Sequence, residues 1–202
     1  MNKKVVIIGA GGHGRVVADT VELCGDTVLG FLDDSDATHS KVNIIGKVAD
    51  AEKYCDNETY LFVAIGNCIV RERIMNGLPK AKWYTAIHPS AVISPTAIIG
   101  EGTCFMPNSV INNGAVVGRG VIVNTCASID HDCIVADFVH LACGAHLAGT
   151  VTVGKNTWIG IGAIISNNIS VCDNLIIGAG AVVVNDITEQ GTYVGVPAKR
   201  IK

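Results

Sequence analysis

The chain has 202 residues, of which 49% are hydrophobic, 16% charged and 5% aromatic, with 23 glycines and a formal net charge of −3. That composition supports a large buried core and excludes disorder, and the lack of any Lys/Arg run leaves no field to draw nucleic acid or an anionic membrane, so a small-molecule substrate is expected and neither of those partners. The opening apolar run Val5–Gly9 is too short for a signal peptide and no window approaches the roughly 18 apolar residues of a membrane span, which predicts a cytosolic protein.

In chain order, Lys4–Ile8 reads as a buried strand, Gly9-Ala10-Gly11-Gly12-His13-Gly14 as a glycine turn, and Arg15–Leu23 as a helix with apolar Val16, Val17, Ala18 and Val21. Thr27–Leu32 is a second strand ending in Asp33-Asp34. Tyr60–Ile65 is a third, ending in Gly66-Asn67 before a helix near Val70–Asn76. This is a parallel βαβ unit whose ligand edge lies at the strand C-termini and the first helix N-terminus. Gly9, Gly11 and Gly14 satisfy GxGxxG, and Asp33 stands where a ribose-binding acid belongs, so a nicotinamide dinucleotide is one reading. The segment supplies only one mononucleotide-sized half and no dehydrogenase domain follows. A phosphate of a nucleotide-linked sugar suits the same backbone N–H groups, and a turn needed only for close packing is the third reading.

From Ile87 to Val183 every sixth residue is apolar without a gap. A period of six cannot be an α-helix, whose apolar stripe recurs at 3.6 residues, but it suits a parallel β-coil with three flat faces, three hexads per turn and roughly five turns at about 4.8 Å spacing. The residue after each apolar one is mostly small or polar (Gly100, Gly118, Gly154, Gly160, Gly178), which places the corners, with their positive φ, at that position. The eight cysteines, Cys24, Cys55, Cys68, Cys104, Cys126, Cys133, Cys143 and Cys172, form no CxxC pair and are expected to be reduced, small core residues.

The hexads Ile99-Gly100, Val117-Gly118, Val153-Gly154, Ile159-Gly160 and Ile177-Gly178 resemble those of the hexapeptide-repeat acyltransferases. With Ile8–Gly14, Phe31–Asp34, Ala64–Asn67 and Ile87–Ala91, nearly the whole chain resembles the sialic acid O-acetyltransferase and UDP-4-amino-sugar N-acetyltransferase family, with its bacillosamine and perosamine branches. The resemblance implies a Rossmann-like α/β half domain at 1–84, a left-handed parallel β-helix at 85–202, a homotrimer with active sites between protomers, and acetyl-CoA as co-substrate with no metal.

Acetyl transfer from a thioester needs a base for the acceptor and a donor for the oxyanion. The residues alone leave His131 either as that base or as an exposed polar corner residue. Asn124–Cys133 matches the family segment that holds the catalytic histidine, which implies His131 as base and Asp132 as its partner acid. By the same resemblance Gly11, Gly12, His13, Gly14, Asp33, Asp34 and Gly66 contact the nucleotide sugar, and His140 contacts acetyl-CoA and supports the oxyanion. Gly149, one coil beyond His131, offers a backbone N–H to the thioester. Ala145, Gly160 and Ala163 line the pantetheine track, and Lys199 or Arg200 meets the CoA phosphates. His146 has no matched role. Cys133 and Cys143 are expected to be buried rather than nucleophilic.

The spacing of His131, His140 and His146 does not fit a zinc site of the γ-carbonic anhydrase kind. A non-catalytic trimer that binds a nucleotide sugar would explain the repeat but not the histidine. Among acceptors, a UDP-linked 4-amino sugar is preferred over a GDP-perosamine-type sugar or a sialic acid hydroxyl.

Overall fold

The computed structural model describes residues 2–35 and 42–201. The first strand, β1 (Lys4–Ile8), is followed by α1 (Gly12–Leu23), β2 (Thr27–Leu32), β3 (Ile44–Gly46), a 3₁₀ helix (Val48–Tyr54), β4 (Thr59–Val63), α2 (Cys68–Gly77) and β5 (Lys82–Trp83). These strands form one parallel sheet in the order β3-β2-β1-β4-β5, a Rossmann-like half. The central strand is apolar on both faces because both are covered: Val5 and Ile7 pack against α1, and Val6 and Ile8 against the 3₁₀ helix and α2.

Two boundaries differ from those expected. The residues Gly12-His13-Gly14 form the first turn of α1 rather than a loop. A Cβ on Gly14 would stand 2.0 Å from the Gly9 carbonyl oxygen, so glycine there lets the helix start directly on the strand end. The second helix begins at Cys68, because the Asn67 side chain accepts from the Val70 N–H and caps it.

From Ala86 to Val183 the chain winds as a left-handed parallel β-helix of two- and three-residue strands on three sheets, and the four-residue strand Gly191–Val194 with its antiparallel partner Lys199–Arg200 ends it. Register partners are successive turns of the coil: Val110 faces Ser128, Val116 faces Ile134, and Ile122 faces His140. The second residue of nearly every strand is the apolar member of the hexad, and these side chains fill one continuous interior with the small residues at the fifth hexad position.

The corners, however, do not fall on the glycine after the apolar residue. Positive φ occurs two residues later, at Gly102, Asn108, Gly114, Gly120, Cys126, Asp132, Phe138, Gly144, Thr150, Asn156, Gly162, Asn168, Asn174 and Gly180. The glycines at Gly100, Gly118, Gly154 and Gly160 have another cause: a Cβ there would lie 2.4–2.6 Å from atoms of the next coil.

The sheet containing Ala86, Cys104, Ile122 and His140 is covered by the α/β half, which buries all four. Beyond that cover the same outward position is exposed, at Trp158 and Ile176. Among the described residues no helix is long and apolar enough to cross a membrane.

Candidate active site

On the sheet edge, Gly9 turns the chain out of β1 at φ +107, its Cα pressed close to the Ala64 carbonyl. Gly11 caps α1 with no side chain. Nothing lies within 4 Å of where a Cβ on Gly11 or Gly12 would sit, so packing does not demand glycine at either, and both are exposed at the N-terminal end of α1. That is the geometry an anion such as a phosphate needs.

The two aspartates do structural work as well. Asp33 Oδ2 accepts from the Ala10 N–H at 2.6 Å and its Oδ1 from the Ser35 N–H at 2.8 Å, so the carboxylate ties the glycine loop to the end of β2. Burial alone would raise its pKa, but the hydrogen bonds from Ser35 and Ala10, with the nearby Lys47, outweigh that and leave it lowered. Asp34 Oδ1 accepts from the Val48 N–H at 2.9 Å and starts the 3₁₀ helix.

Behind the glycine loop two histidines are packed between the α/β half and the coil. His13 and His140 have ring centroids 6.5 Å apart. Burial first, and then the charge of Arg71, lowers each from the ordinary 6.5 to about 4, so both are neutral at physiological pH. His140 leaves the coil, yet it is only 8% exposed because the α/β half lies over it. Its Nδ1 lies 3.2 Å from the Gly66 carbonyl oxygen, and its ring stacks on Trp158 at 5.5 Å and 1°.

A carbonyl oxygen can only accept, so Nδ1 holds the proton and Nε2 of the neutral ring is an acceptor. That corrects the expected role of His140: it has no proton on Nε2 to donate to an oxyanion.

On the coil, His131 lies at the corner between the strands Ser128–Ile129 and Ile134–Val135. Its side chain is 57% exposed and its Nδ1 is 2.9 Å from Asp132 Oδ2. Asp132 itself takes φ 57, a conformation aspartate and asparagine tolerate better than most side chains. Asp130 is oriented by Asn112 one coil below, at 2.8 Å, and accepts from the His131 N–H. The Asp132 hydrogen bond is the largest influence on His131 and raises its pKa above 6.5. The His131 ring lies directly over Gly149, where a Cβ would come within 2.4 Å of Nε2.

The other residues expected to meet the coenzyme lie in different environments. Ala145 and Ala163 are fully buried with their methyl groups inside the coil, and their N–H groups are bonded to Ala142 and Gly160, so their side chains cannot line an external pantetheine track. Gly160 is a stacking glycine whose N–H bonds Ile177. Lys199 is exposed on the terminal strand and Arg200 pairs with Glu189 at 3.0 Å.

His146 Nδ1 meets Ser128 Oγ at 2.8 Å on an exposed face. Cys133 is buried, its thiol bonded to the Ala148 carbonyl and its pKa raised by desolvation. Cys143 is exposed, contrary to expectation, as are Cys24 and Cys126, and only Cys68, Cys104 and Cys133 are core residues. Among the described residues no group of histidine, cysteine or acidic side chains could hold a metal.

Nothing in the sequence marks Arg71, which is 0% exposed at the centre of this junction, or Trp158, which carries the His140 ring.

Residues 4–78 match the PglD N-terminal domain family. A curated relative, UDP-N-acetylbacillosamine N-acetyltransferase of Bacillus subtilis, is 38% identical over 112 residues; the match spans 52% of this chain and about half, 51%, of that protein. Over the full length the chain is similar to the acetyltransferase domain of PglB from Neisseria gonorrhoeae, with TM-score 0.94, 39% identity, and 99% and 100% of the two chains covered. The same domain in complex with acetyl coenzyme A matches at TM-score 0.94 and 38% identity, covering all of both chains. PerB from Caulobacter crescentus, in complex with CoA and GDP-perosamine, matches at TM-score 0.93 and 36% identity over 98% and 97% of the two chains. Since the likeness runs through the glycine loop, the coil and the terminal strands alike, the chain belongs to the hexapeptide-repeat sugar N-acetyltransferase family of the PglD and PerB type.

Proposed function

We propose that the protein transfers the acetyl group of acetyl-CoA to the 4-amino group of a UDP-linked amino sugar, directly and within a ternary complex, with His131 as the general base. The observation that carries this is the pairing of His131 Nδ1 with Asp132 Oδ2 at 2.9 Å. A carboxylate only accepts, so Nδ1 is protonated and the lone pair stands on Nε2, over the bare Cα of Gly149. Nε2 takes a proton from the sugar amine as its nitrogen attacks the thioester carbonyl, Asp132 stabilises the imidazolium, and the tetrahedral intermediate expels the CoA thiolate, which recovers the proton. With His140 an acceptor, the oxyanion falls to backbone N–H groups near Gly149.

Residues 1–84 serve as the nucleotide-sugar half, with the N–H groups of Gly11–Gly14 on the diphosphate, His13 and Gly66 behind them, and Asp33 and Asp34 sharing their carboxylates with ribose or base. Residues 85–202 hold the coenzyme, with Lys199 toward its phosphates. Within one protomer His131 and the glycine loop belong to different faces, since the α/β half covers the Ile122–His140 sheet and His131 leaves the corner of the other two. A homotrimer brings the base of one protomer to the nucleotide site of its neighbour, and the outward ladder Ile98, Val116 and Ile134, 64%, 37% and 52% exposed, supplies apolar surface for it. The enzyme works in the cytosol, where acetyl-CoA and nucleotide sugars are made.

The nucleotide has two candidates, since one relative is named for a UDP sugar and one neighbour holds GDP-perosamine. Release of CoA thiol with a UDP-4-amino sugar, its GDP counterpart and free sialic acid distinguishes them. Turnover with the UDP sugar, reduced about 10²–10⁴-fold in His131→Ala, is the expected result; turnover only on sialic acid, or none, rejects the proposal.

A further inference from the structure

We propose that Arg71 is a positioning residue for this transfer: through the Gly66 carbonyl it locks His140 in one tautomer and so presents Nε2 as the acceptor for an amide N–H of the coenzyme's pantetheine arm. The inference rests on the transferase reading and assigns a role within that site to a residue of the other half of the chain.

Arg71 projects from α2 and is fully buried. A guanidinium has five N–H groups, and here five carbonyls receive them. Nε reaches Gly120 at 2.6 Å, Nη1 reaches Ile65 and Gly66 at 2.8 and 3.1 Å, and Nη2 reaches Phe138 and Val139 at 2.7 and 3.3 Å. None of these partners is a carboxylate, so the side chain is held by geometry rather than by an ion pair, and it joins the loop after β4 to two successive coils.

The Gly66 oxygen therefore receives Arg71 Nη1 at 3.1 Å and His140 Nδ1 at 3.2 Å, with the Cys68 thiol a weak third donor at 4.0 Å. Fixed by the first, it fixes the second. The His140 ring cannot turn away, because it stacks on Trp158. Other ionisable neighbours of the pair are His13, Cys68 and Cys104, none of which offers Nε2 a donor. Among the described residues His140 Nε2 is a buried polar atom with no partner. Such an atom needs a donor. A thioester carbonyl or an oxyanion is an acceptor and cannot satisfy it, whereas the pantetheine arm has two amide N–H groups. The sugar's hydroxyls and amine are donors too, but His140 stands on the coil, the half assigned above to the coenzyme, so the occupant is the coenzyme, and the contact holds it in place without polarising its carbonyl.

The test is to record ring ¹⁵N shifts of histidine-labelled full-length protein, with His140 assigned by difference from His140→Gln. Wild type should show a protonated Nδ1 and a bare Nε2 between pH 6 and 8, and a protonated Nε2 there overturns the proposal. Arg71→Lys keeps a charge and loses the fork. It should show mixed tautomers and an acetyl-CoA affinity by calorimetry weakened about tenfold, the worth of one ordinary hydrogen bond. An unchanged tautomer or a wild-type affinity in a folded Arg71→Lys also overturns it. The wild-type spectrum alone can reject the idea, so a variant that fails to fold does not protect it. Both readouts are free of turnover: absence of acetyl transfer to any acceptor would sink the transferase reading and leave them standing.

Discussion

At the scale of single residues the decisive quantity is the protonation of His131. Its pKa is raised above 6.5, chiefly by the Asp132 hydrogen bond and further by the charges of Asp130 and Asp132. A general base must be neutral, so kcat/KM should rise with pH through a limb lying above 6.5. Asp132→Asn removes the charge yet keeps a residue at ease at φ 57. The limb should move to lower pH while the plateau falls at least tenfold, because the imidazolium loses its counter-charge; a limb that stays where it was would show that Asp132 does not act on the base.

Gly149→Ala tests the same atom from below. Its new methyl meets the His131 ring, which Asp132 prevents from moving freely, and a misplaced base should cost about 10–100-fold in turnover with little change in melting temperature. A fully active Gly149→Ala protein would contradict that placement.

Residues were unequally legible in the sequence. The residues around His131 left it either a base or an exposed corner, and only the likeness of Asn124–Cys133 to a family segment singled it out; Asp33 and Asp34 are struts as well as candidate ligands, and Arg71 is buried only by the fold.

At the scale of elements, the coil was legible because burying one side chain per hexad leaves a period that no helix shares. The corners were misplaced by two residues because glycine has two separate uses here. Close stacking needs it after the apolar residue, while the left-handed corner accepts glycine, asparagine or aspartate and so leaves a mixed, weaker signal. The start of α1 was misread for a related reason, since the four glycines between Gly9 and Gly14 suggest a loop while one of them, Gly14, serves helix-to-strand contact.

Three corners carry a residue outside that preference, Cys126, Phe138 and Thr150, and only the last of these is β-branched. Thr150, β-branched, takes φ 62 beside Gly149, with its N–H bonded to the His131 carbonyl. A left-handed conformation costs a β-branched residue more than it costs asparagine, and the side chain is exposed, so Thr150→Asn should stabilise the protein by about 1 kcal/mol. Denaturant melts would show it as a higher midpoint at constant slope. A lower midpoint would mean that the threonine makes a contact worth more than its strain.

At the scale of the whole molecule, the junction between the α/β half and the coil is where acid should act first. It encloses one permanent cation, Arg71, and two histidines held neutral. Each histidine has an ordinary pKa of 6.5 and about 4 when folded, so between those values the unfolded chain binds more protons than the folded one. Stability is therefore full above 6.5 and is lost as pH falls toward 4. A shift of that size corresponds to about 3 kcal/mol per histidine, and the two are close enough to titrate as a pair, so the sum is smaller than twice that.

Surface carboxylates begin to titrate below about pH 5, which leaves the range from 6.5 to 5 as the window in which the histidines dominate. There the urea midpoint should fall steadily. In His13→Gln the fall should be shallower, because one of the two proton acceptors is gone. His131, whose shift is upward and which is exposed, acts in the opposite sense and cannot produce the loss. A midpoint that stays level from pH 6.5 to 5 would mean that the junction is open to solvent, and the buried acceptor on His140 would then be in water as well.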